Sequence, residues 1–428
     1  MSENCRNTVV ESFALTRKAW VYRGEGNANL VLALPEDKKI LRFRKLKNKN
    51  TTAEEMYDQV IREIHFLQNF ILPLLSQEIF ELPTLVTVTT SDINRIESEL
   101  KNIRPVYRLK GEKLNNYVNL MRDLTFLPKH VVTSSEPVYA VEIKPKQGWT
   151  AVSNRTLSKC TFCLKQYLKI ENGVVKNLSK YCPLDLFSGE PLRMKKALRC
   201  LLETPQNNIK IFRNGEIIYG DGCELVFLQE VLKHLYKEDL SLEVLISKFS
   251  ELILSFLFNN DFESAVMLPK PLLPSESPPC KSHEILQPVP PLPPCNWSSR
   301  NLPPNSVLQK LLNLQKLDQM GIEDLHRLYK ETNTSMDEFL QCNRNGPYHP
   351  LFCHILATSS SDCSIMLTFQ QSTQPPAVTH LQDEDGLFYV FKIGILDMDL
   401  KPISCIEKHK SRNTKIVNSC MNVLKFIN

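Results

Sequence analysis

The sequence has no apolar run long enough to cross a bilayer. Its longest stretches, such as Leu252 to Phe258, fall far short of the roughly 20 residues a spanning helix needs, so no membrane association is expected. The opening Met1-Ser2-Glu3-Asn4 is polar and acidic, so a secretory leader is not expected either. A net charge of +5 is too weak to argue nucleic-acid binding by itself. Several catalytic signatures are missing: G-x-x-x-x-G-K-[ST], H-E-x-x-H, G-x-S-x-G, and the H-R-D and D-F-G of protein kinases.

What is present is a large, ordinary core-forming chain. Its 428 residues, 42% of them hydrophobic, suffice for two or three domains or one large two-lobed one. Thirteen cysteines, an odd number, in a chain with no need of staples read as reduced thiols inside the cell, in cytoplasm or nucleus. Sequons such as Asn177-Leu178-Ser179 then carry no meaning. A basic run from Lys38 to Lys49 reads either as a solvated face or as a local anion site, and could also serve as a localisation signal.

Val21 to Leu34 reads as strand, glycine-rich turn, strand, and Ile40 to Arg44 as a half-exposed strand. Thr52 with Glu55 forms a capping box for a helix to about Phe70. Tyr117 to Phe126 reads as a strand leaving into a connector, and Tyr139 to Ile143 as a strand ended by Pro145. Further elements are a helix over Leu192 to Glu203, a hairpin over Ile209 to Tyr219, and helices over Leu225 to Tyr236 and Ser241 to Leu257. Met267 to Pro304 holds 12 of the 27 prolines and reads as a disordered insert. Ser306 caps a helix expected to run unbroken through Tyr329. Strands follow at Ile365 to Leu367 and Phe388 to Ile393.

The chemistry-bearing residues form a scattered phosphoryl-transfer kit. Gly24-Glu25-Gly26-Asn27-Ala28-Asn29 could lay backbone N–H groups over phosphates, or be a plain hairpin turn. Arg42 lies on the next strand, where protein kinases place a phosphate-binding lysine. In Glu142-Ile143-Lys144-Pro145-Lys146 a rigid proline can hold two ammoniums at one anion. Asp362 and Asp397, each beside a buried strand, are candidate Mg²⁺ ligands or hydroxyl bases. Cys160, Cys163 and Cys182 are candidate zinc ligands without an evident fourth partner, no histidine lying between 131 and 232.

Six runs, in order, resemble the inositol-pentakisphosphate 2-kinase family: residues 24–31, 142–146, 180–189, 206–215, 362–366 and 396–402. The resemblance implies an α+β, two-lobed fold distantly related to protein kinases. A small N-lobe with an antiparallel sheet would span 1–135. A larger C-lobe with the inositol-phosphate-binding region would span 136–428. It implies an enzyme that moves phosphate from ATP, with Mg²⁺, to the 2-hydroxyl of inositol pentakisphosphate, acting as a monomer. Carried over by position, Gly24, Gly26, Asn27, Ala28, Asn29 and Arg42 would hold nucleotide phosphates, and Asp123, in the connector from Met121 to Leu124, would lie at the adenine. Asp397 would ligate Mg²⁺, Asp362 would orient or deprotonate the hydroxyl, and Lys144 would face the transferring phosphoryl. Arg104, Lys146, Lys169, Asn207, Lys210 and Lys401 would grip substrate phosphates, with Asn208 near the nucleotide or substrate and Glu142 near the nucleotide or metal. One departure stands out: Cys405 and His409 occupy positions where plant members place Arg and Tyr, with Lys408, Lys410 or Arg412 as replacements. Another inositol-phosphate kinase, or an inactive inositol-phosphate-binding scaffold, is the alternative reading.

Overall fold

The computed structural model describes residues 10–46, 50–109, 112–132, 135–155, 158–259, 292–342, 344–374, 376, 378, 380–383 and 385–427. Lys47 and Lys49 of the basic run, and 267–291 of the proline-rich insert, lie outside them.

Two six-stranded sheets organise the chain. The first has the order β1 (Glu11–Ser12), β5 (Thr84–Thr87), β6 (Lys113–Arg122), β4 (Lys39–Leu46), β3 (Asn29–Leu34), β2 (Val21–Glu25). The second has the order β11 (His380–Gln382), β12 (Phe388–Leu396), β10 (Ser364–Ser372), β7 (Val138–Ile143), β8 (Ile209–Arg213), β9 (Glu216–Tyr219). Pairing is antiparallel except between β1 and β5. The α+β class read from the sequence is what is seen.

The helices are α1 (Ala53–Phe66), α2 (Leu72–Leu75), α3 (Thr90–Leu100), α4 (Thr161–Glu171), α5 (Pro183–Leu186), α6 (Pro191–Glu203), α7 (Leu225–Tyr236), α8 (Leu242–Phe258), α9 (Val307–Gln315), α10 (Ile322–Glu331), α11 (Met336–Leu340), α12 (Pro350–Asp362) and α13 (Cys405–Ile427). The capping box forms as read: Thr52 Oγ1 accepts from the Glu55 amide, and the Thr52 amide donates to the Glu55 carboxylate. Among the described residues no helix is long and apolar enough to cross a membrane.

Period-two alternation gives each sheet a core face and a cleft face. Leu30, Leu32, Leu41, Phe43 and Val118 pack on Ile93 and Ile96 of α3. The intervening Asn29, Val31, Ile40, Arg42 and Met121 turn to a cleft. In the second sheet Tyr139, Val141, Ile143, Ile211, Leu367 and Phe369 enter the larger core. Ala140, Phe212 and Met366 face the cleft beside Leu124 and Leu396. Phe66, Phe70, Ile79 and Phe80, though early in the chain, belong to the larger core. Phe66 and Phe70 stack edge-on against Phe352 of α12.

Two expectations are corrected. The helix capped by Ser306 does not run through Tyr329: α9 stops at Gln315 and α10 begins at Ile322. A Cβ at Gly321 would sit 2.8 Å from Ser153 Oγ, and the Ile322 amide donates to Asn154 Oδ1, so a tertiary contact breaks the stripe there. Nor is the whole of 267–304 unstructured. Leu292 is buried, and Lys159 Nζ donates to the carbonyls of Leu292 and Pro293, the latter at 2.6 Å.

Candidate active site

The glycine-rich turn is a hairpin between β2 and β3. The Gly26 amide donates to Asn29 O at 2.9 Å, and a Cβ at Gly24 or Gly26 would meet nothing within 4 Å, so the backbone is open on the cleft side. Glu25 anchors it from beneath, accepting from Arg104 Nε at 2.6 Å, Arg104 NH2 at 2.7 Å, and Lys45. Burial alone would raise Glu25, but these cations hold its carboxyl below the usual range. Arg104 is thus committed to the loop and is not among the residues lining either cleft described below.

Within the basic run, three cations of β4 are paired with separate carboxylates: Arg42 with Asp399, Arg44 with Glu63 at 3.0 Å, and Lys45 with Glu25. Arg42 NH1 reaches Asp399 Oδ1 at 2.5 Å and NH2 reaches Oδ2 at 2.7 Å, with Asp397 at 3.0 Å. Asp399 was not singled out from sequence, although it lies two residues from Asp397 in a run already recognised. A bidentate fork neutralises Arg42, so its role toward a nucleotide is shared with this pair.

A cleft of about 520 Å³ lies between the two sheets. It gathers Gly24, Gly26, Asn27, Ala28, Asn29, Arg42, Asp123, Glu142, Lys144, Asn207, Lys210, Asp362, Asp397 and Lys401, fourteen of the residues expected at the site. Its apolar wall is Val31, Ile40, Met121, Leu124, Phe212, Ile217, Met366 and Leu396. Leu124 reaches this wall because position 394 is glycine; a Cβ there would stand 2.5 Å from Leu124 Cδ1. The Asp123 carboxylate is saturated by Arg23 and by the amide and hydroxyl of Thr125, at 3.0 and 2.6 Å, so it braces the connector.

Glu142 stands opposite Lys210 in the β7–β8 register and accepts from Ser364 Oγ at 2.8 Å. Lys210 lies at 3.4 Å and Lys144 at 3.9 Å from it. Burial favours its neutral form, yet Lys210 and Lys144 outweigh that and keep it ionised. Asp397 is the opposite case. Burial raises its carboxyl, and the attraction of Arg42 does not compensate for that with Asp399 and Glu142 nearby. Asp397 is therefore short of positive charge.

A second cleft, of about 290 Å³, adjoins the first. Lys146, Lys165, Lys169, Asn208, Asp362, His354, His409 and Arg412 line it. Burial, aided by mutual repulsion, lowers Lys146, Lys165 and Lys169. This is the signature of cations crowded without enough counter-charge. Of the suggested replacements after Lys401, Arg412 lines this cleft; Lys410 instead pairs with Glu323 at 2.6 Å, and Lys408 is exposed. Lys165 was not read from sequence, being one polar position among several on α4. Burial lowers His409, with Arg412 and His354 adding to it, to about 3.

Asp362, the last residue of α12, lines both clefts. Lys401 Nζ lies 3.1 Å away. Burial would raise its carboxyl, but Lys401 and Lys146 hold it below the usual range. Lys146, Asn207 and Asp397 all adopt left-handed backbone, at φ 62°, 59° and 65°. Non-glycine residues held there cost about 1–3 kcal/mol each, and such strain concentrates at functional sites.

Apart from the clefts, four sulfurs converge. Cys160 and Cys163 at the start of α4, Cys182, and Cys295 lie with ligand atoms all within 4.8 Å of one another. Cys160–Cys182 is 4.0 Å, Cys182–Cys295 3.6 Å and Cys163–Cys295 3.7 Å. A tetrahedral ion with bonds of about 2.3 Å spaces its sulfurs by about 3.8 Å. The fourth sulfur of the cluster, not evident from the sequence, is that of Cys295 in the proline-rich segment.

Comparison with known proteins agrees with this geometry. The model of the family described as inositol-pentakisphosphate 2-kinase matches residues 22–415. The Danio rerio inositol-pentakisphosphate 2-kinase is 29% identical, the alignment covering 93% of this chain and 92% of the relative. The Drosophila melanogaster protein of that name is 28% identical over 50% of this chain and 51% of its own, and the Arabidopsis thaliana one 24% over 93% and 92%. With the family model spanning most of the chain and both clefts, this chain belongs to the inositol-pentakisphosphate 2-kinase family.

Proposed function

We propose that this chain transfers the γ-phosphoryl of ATP to the 2-hydroxyl of inositol 1,3,4,5,6-pentakisphosphate, giving the hexakisphosphate. The observation that carries the reading is Asp362, standing in the wall common to both clefts. The larger cleft has an apolar slot for a purine and an open glycine turn for phosphates. The smaller one presents half-buried lysines crowded around little counter-charge, which suits a substrate of high negative charge.

In this reading Asp362 accepts the proton of the attacking hydroxyl, whose oxygen bonds to the γ-phosphorus as the bond to the bridging oxygen breaks. Lys144 stabilises charge on the transferring phosphoryl. Lys146, Lys165, Lys169 and Arg412 hold substrate phosphates on one side of Asp362, and Lys210 and Lys401 on the other. Asp397, short of positive charge, and Asp362 suit a hard divalent cation. Mg²⁺ held there would neutralise charge on the nucleotide phosphates. The two sheets correspond to a kinase-like N-lobe (1–135) and C-lobe (136–428), and the enzyme works as a monomer in cytoplasm or nucleus. The four cysteines suit a structural Zn²⁺.

Incubation with ATP, Mg²⁺ and each inositol phosphate, followed by chromatographic separation, tests the reaction. Conversion of the pentakisphosphate is expected. Turnover of another inositol phosphate in its place would move the assignment to a different kinase. Binding without any turnover would make the chain a scaffold.

A further inference from the structure

A second cluster of metal-ligating side chains borders the smaller cleft. His354 on α12, and Cys405 and His409 one turn apart on α13, bring their ligand atoms within 4.8 Å of one another. His354 and Cys405 are buried, and His409 is half-buried at the cleft wall. Asp318, in the connection between α9 and α10, fixes the arrangement. Its Oδ2 lies 2.8 Å from His354 Nδ1 and accepts the proton there, which leaves Nε2 as a lone-pair donor. That Nε2 points at His409 Nδ1, 2.9 Å away.

We propose that His354, His409 and Cys405 form a second transition-metal site, for Zn²⁺, with its fourth coordination position open to the smaller cleft. A carboxylate behind the outer nitrogen of a histidine is the usual support of a metal-ligating imidazole. Two imidazoles and one thiolate match the softness of Zn²⁺. Bonds of about 2.0–2.1 Å to nitrogen would spread the two ring nitrogens to about 3.3 Å, a few tenths of an ångström beyond their present spacing. Charge also balances: one thiolate and the Asp318 carboxylate offset a divalent ion, so the site adds no net repulsion to the lysines across the cleft. Three protein ligands and an open position distinguish it from the closed four-cysteine cluster. In its absence the two histidines would simply share a hydrogen bond.

Metal analysis of the full-length purified protein tests this. About two equivalents of zinc per chain are expected, falling to about one in Cys295→Ser and to about one in the His354→Ala/His409→Ala double variant. Because those histidines are packed, Cys405→Ala, which removes only a sulfur, and Asp318→Asn provide a second route. Asp318→Asn should weaken the affinity of this site roughly 10- to 100-fold, read by competition with a chromophoric chelator. If zinc is lost on purification, Co²⁺ titration in the Cys295→Ser background should give tetrahedral visible bands and thiolate charge transfer that the added Cys405→Ala change removes. A metal content unchanged by the histidine and Cys405 variants, with no Co²⁺ signal sensitive to Cys405, overturns the proposal. The count is made without substrate, so a zinc-loaded chain that does not phosphorylate pentakisphosphate would sink the proposed reaction and leave this site standing.

Discussion

Asp362 carries its charge at the C-terminal end of α12, where the last carbonyls disfavour an anion. Lys401 and Lys146 reverse that bias. Asp362→Asn should therefore keep the fold and nucleotide binding while lowering transfer at least 10²-fold, measured by single-turnover assay and nucleotide titration. Lys401→Met removes a cation that holds Asp362 low, so the carboxyl rises toward its ordinary value. A base with a raised pKa is protonated at higher pH, so the acid limb of kcat/KM should move up in pH. An acid limb left in place would mean Lys401 does not face Asp362 in the working enzyme. At this scale most of the site was legible, because the residues lie in short runs whose order survives. Asp399 was not, since its partner Arg42 is 357 positions away and only the fold pairs them. Arg104 was read as a substrate ligand because a lone arginine does not reveal that Glu25 will claim it.

Among the elements, α12 links packing to chemistry. Its Phe352 is fully buried against Phe66, Phe70, Phe339 and Tyr348, and its last residue is Asp362. Phe352→Ala should cost about 3–5 kcal/mol, read from denaturant unfolding, with nucleotide affinity per folded molecule largely kept. A loss below about 1 kcal/mol would show that the aromatic cluster repacks. Strands and hairpins were readable because alternation and Gly-containing turns are local signals: the Ile209 to Tyr219 hairpin appears as β8 and β9. The break between α9 and α10 was not, because the leucine stripe continues in sequence while Ser153 and Asn154 enforce the break from another segment. Lone cysteines are equally mute, and Cys295 joins α4 only through the fold.

For the whole molecule, two cores meet across a cleft that side chains bridge. Asn29 Nδ2 donates to Asp399 Oδ2 at 3.1 Å, and Arg42 grips the same carboxylate. Asp399→Ala would leave a buried guanidinium with Asp397 alone, at a cost of about 3–5 kcal/mol. It should also weaken nucleotide binding, since the glycine turn loses the contact that Asn29 makes across the cleft; unchanged affinity by calorimetry would contradict this. The four-cysteine cluster has a different consequence, for how the sequence can vary. Chain leaving α8 at Phe258 must return to Leu292 and Cys295, both fixed by contacts with Lys159, Tyr167 and the sulfurs of α4. The entropy of holding two chain positions together grows only with the logarithm of the length between them, about 0.6 kcal/mol per doubling. The cluster therefore ties the segment after Leu292 to α4 whatever number of residues separates it from α8, so the length of that separation is only weakly selected.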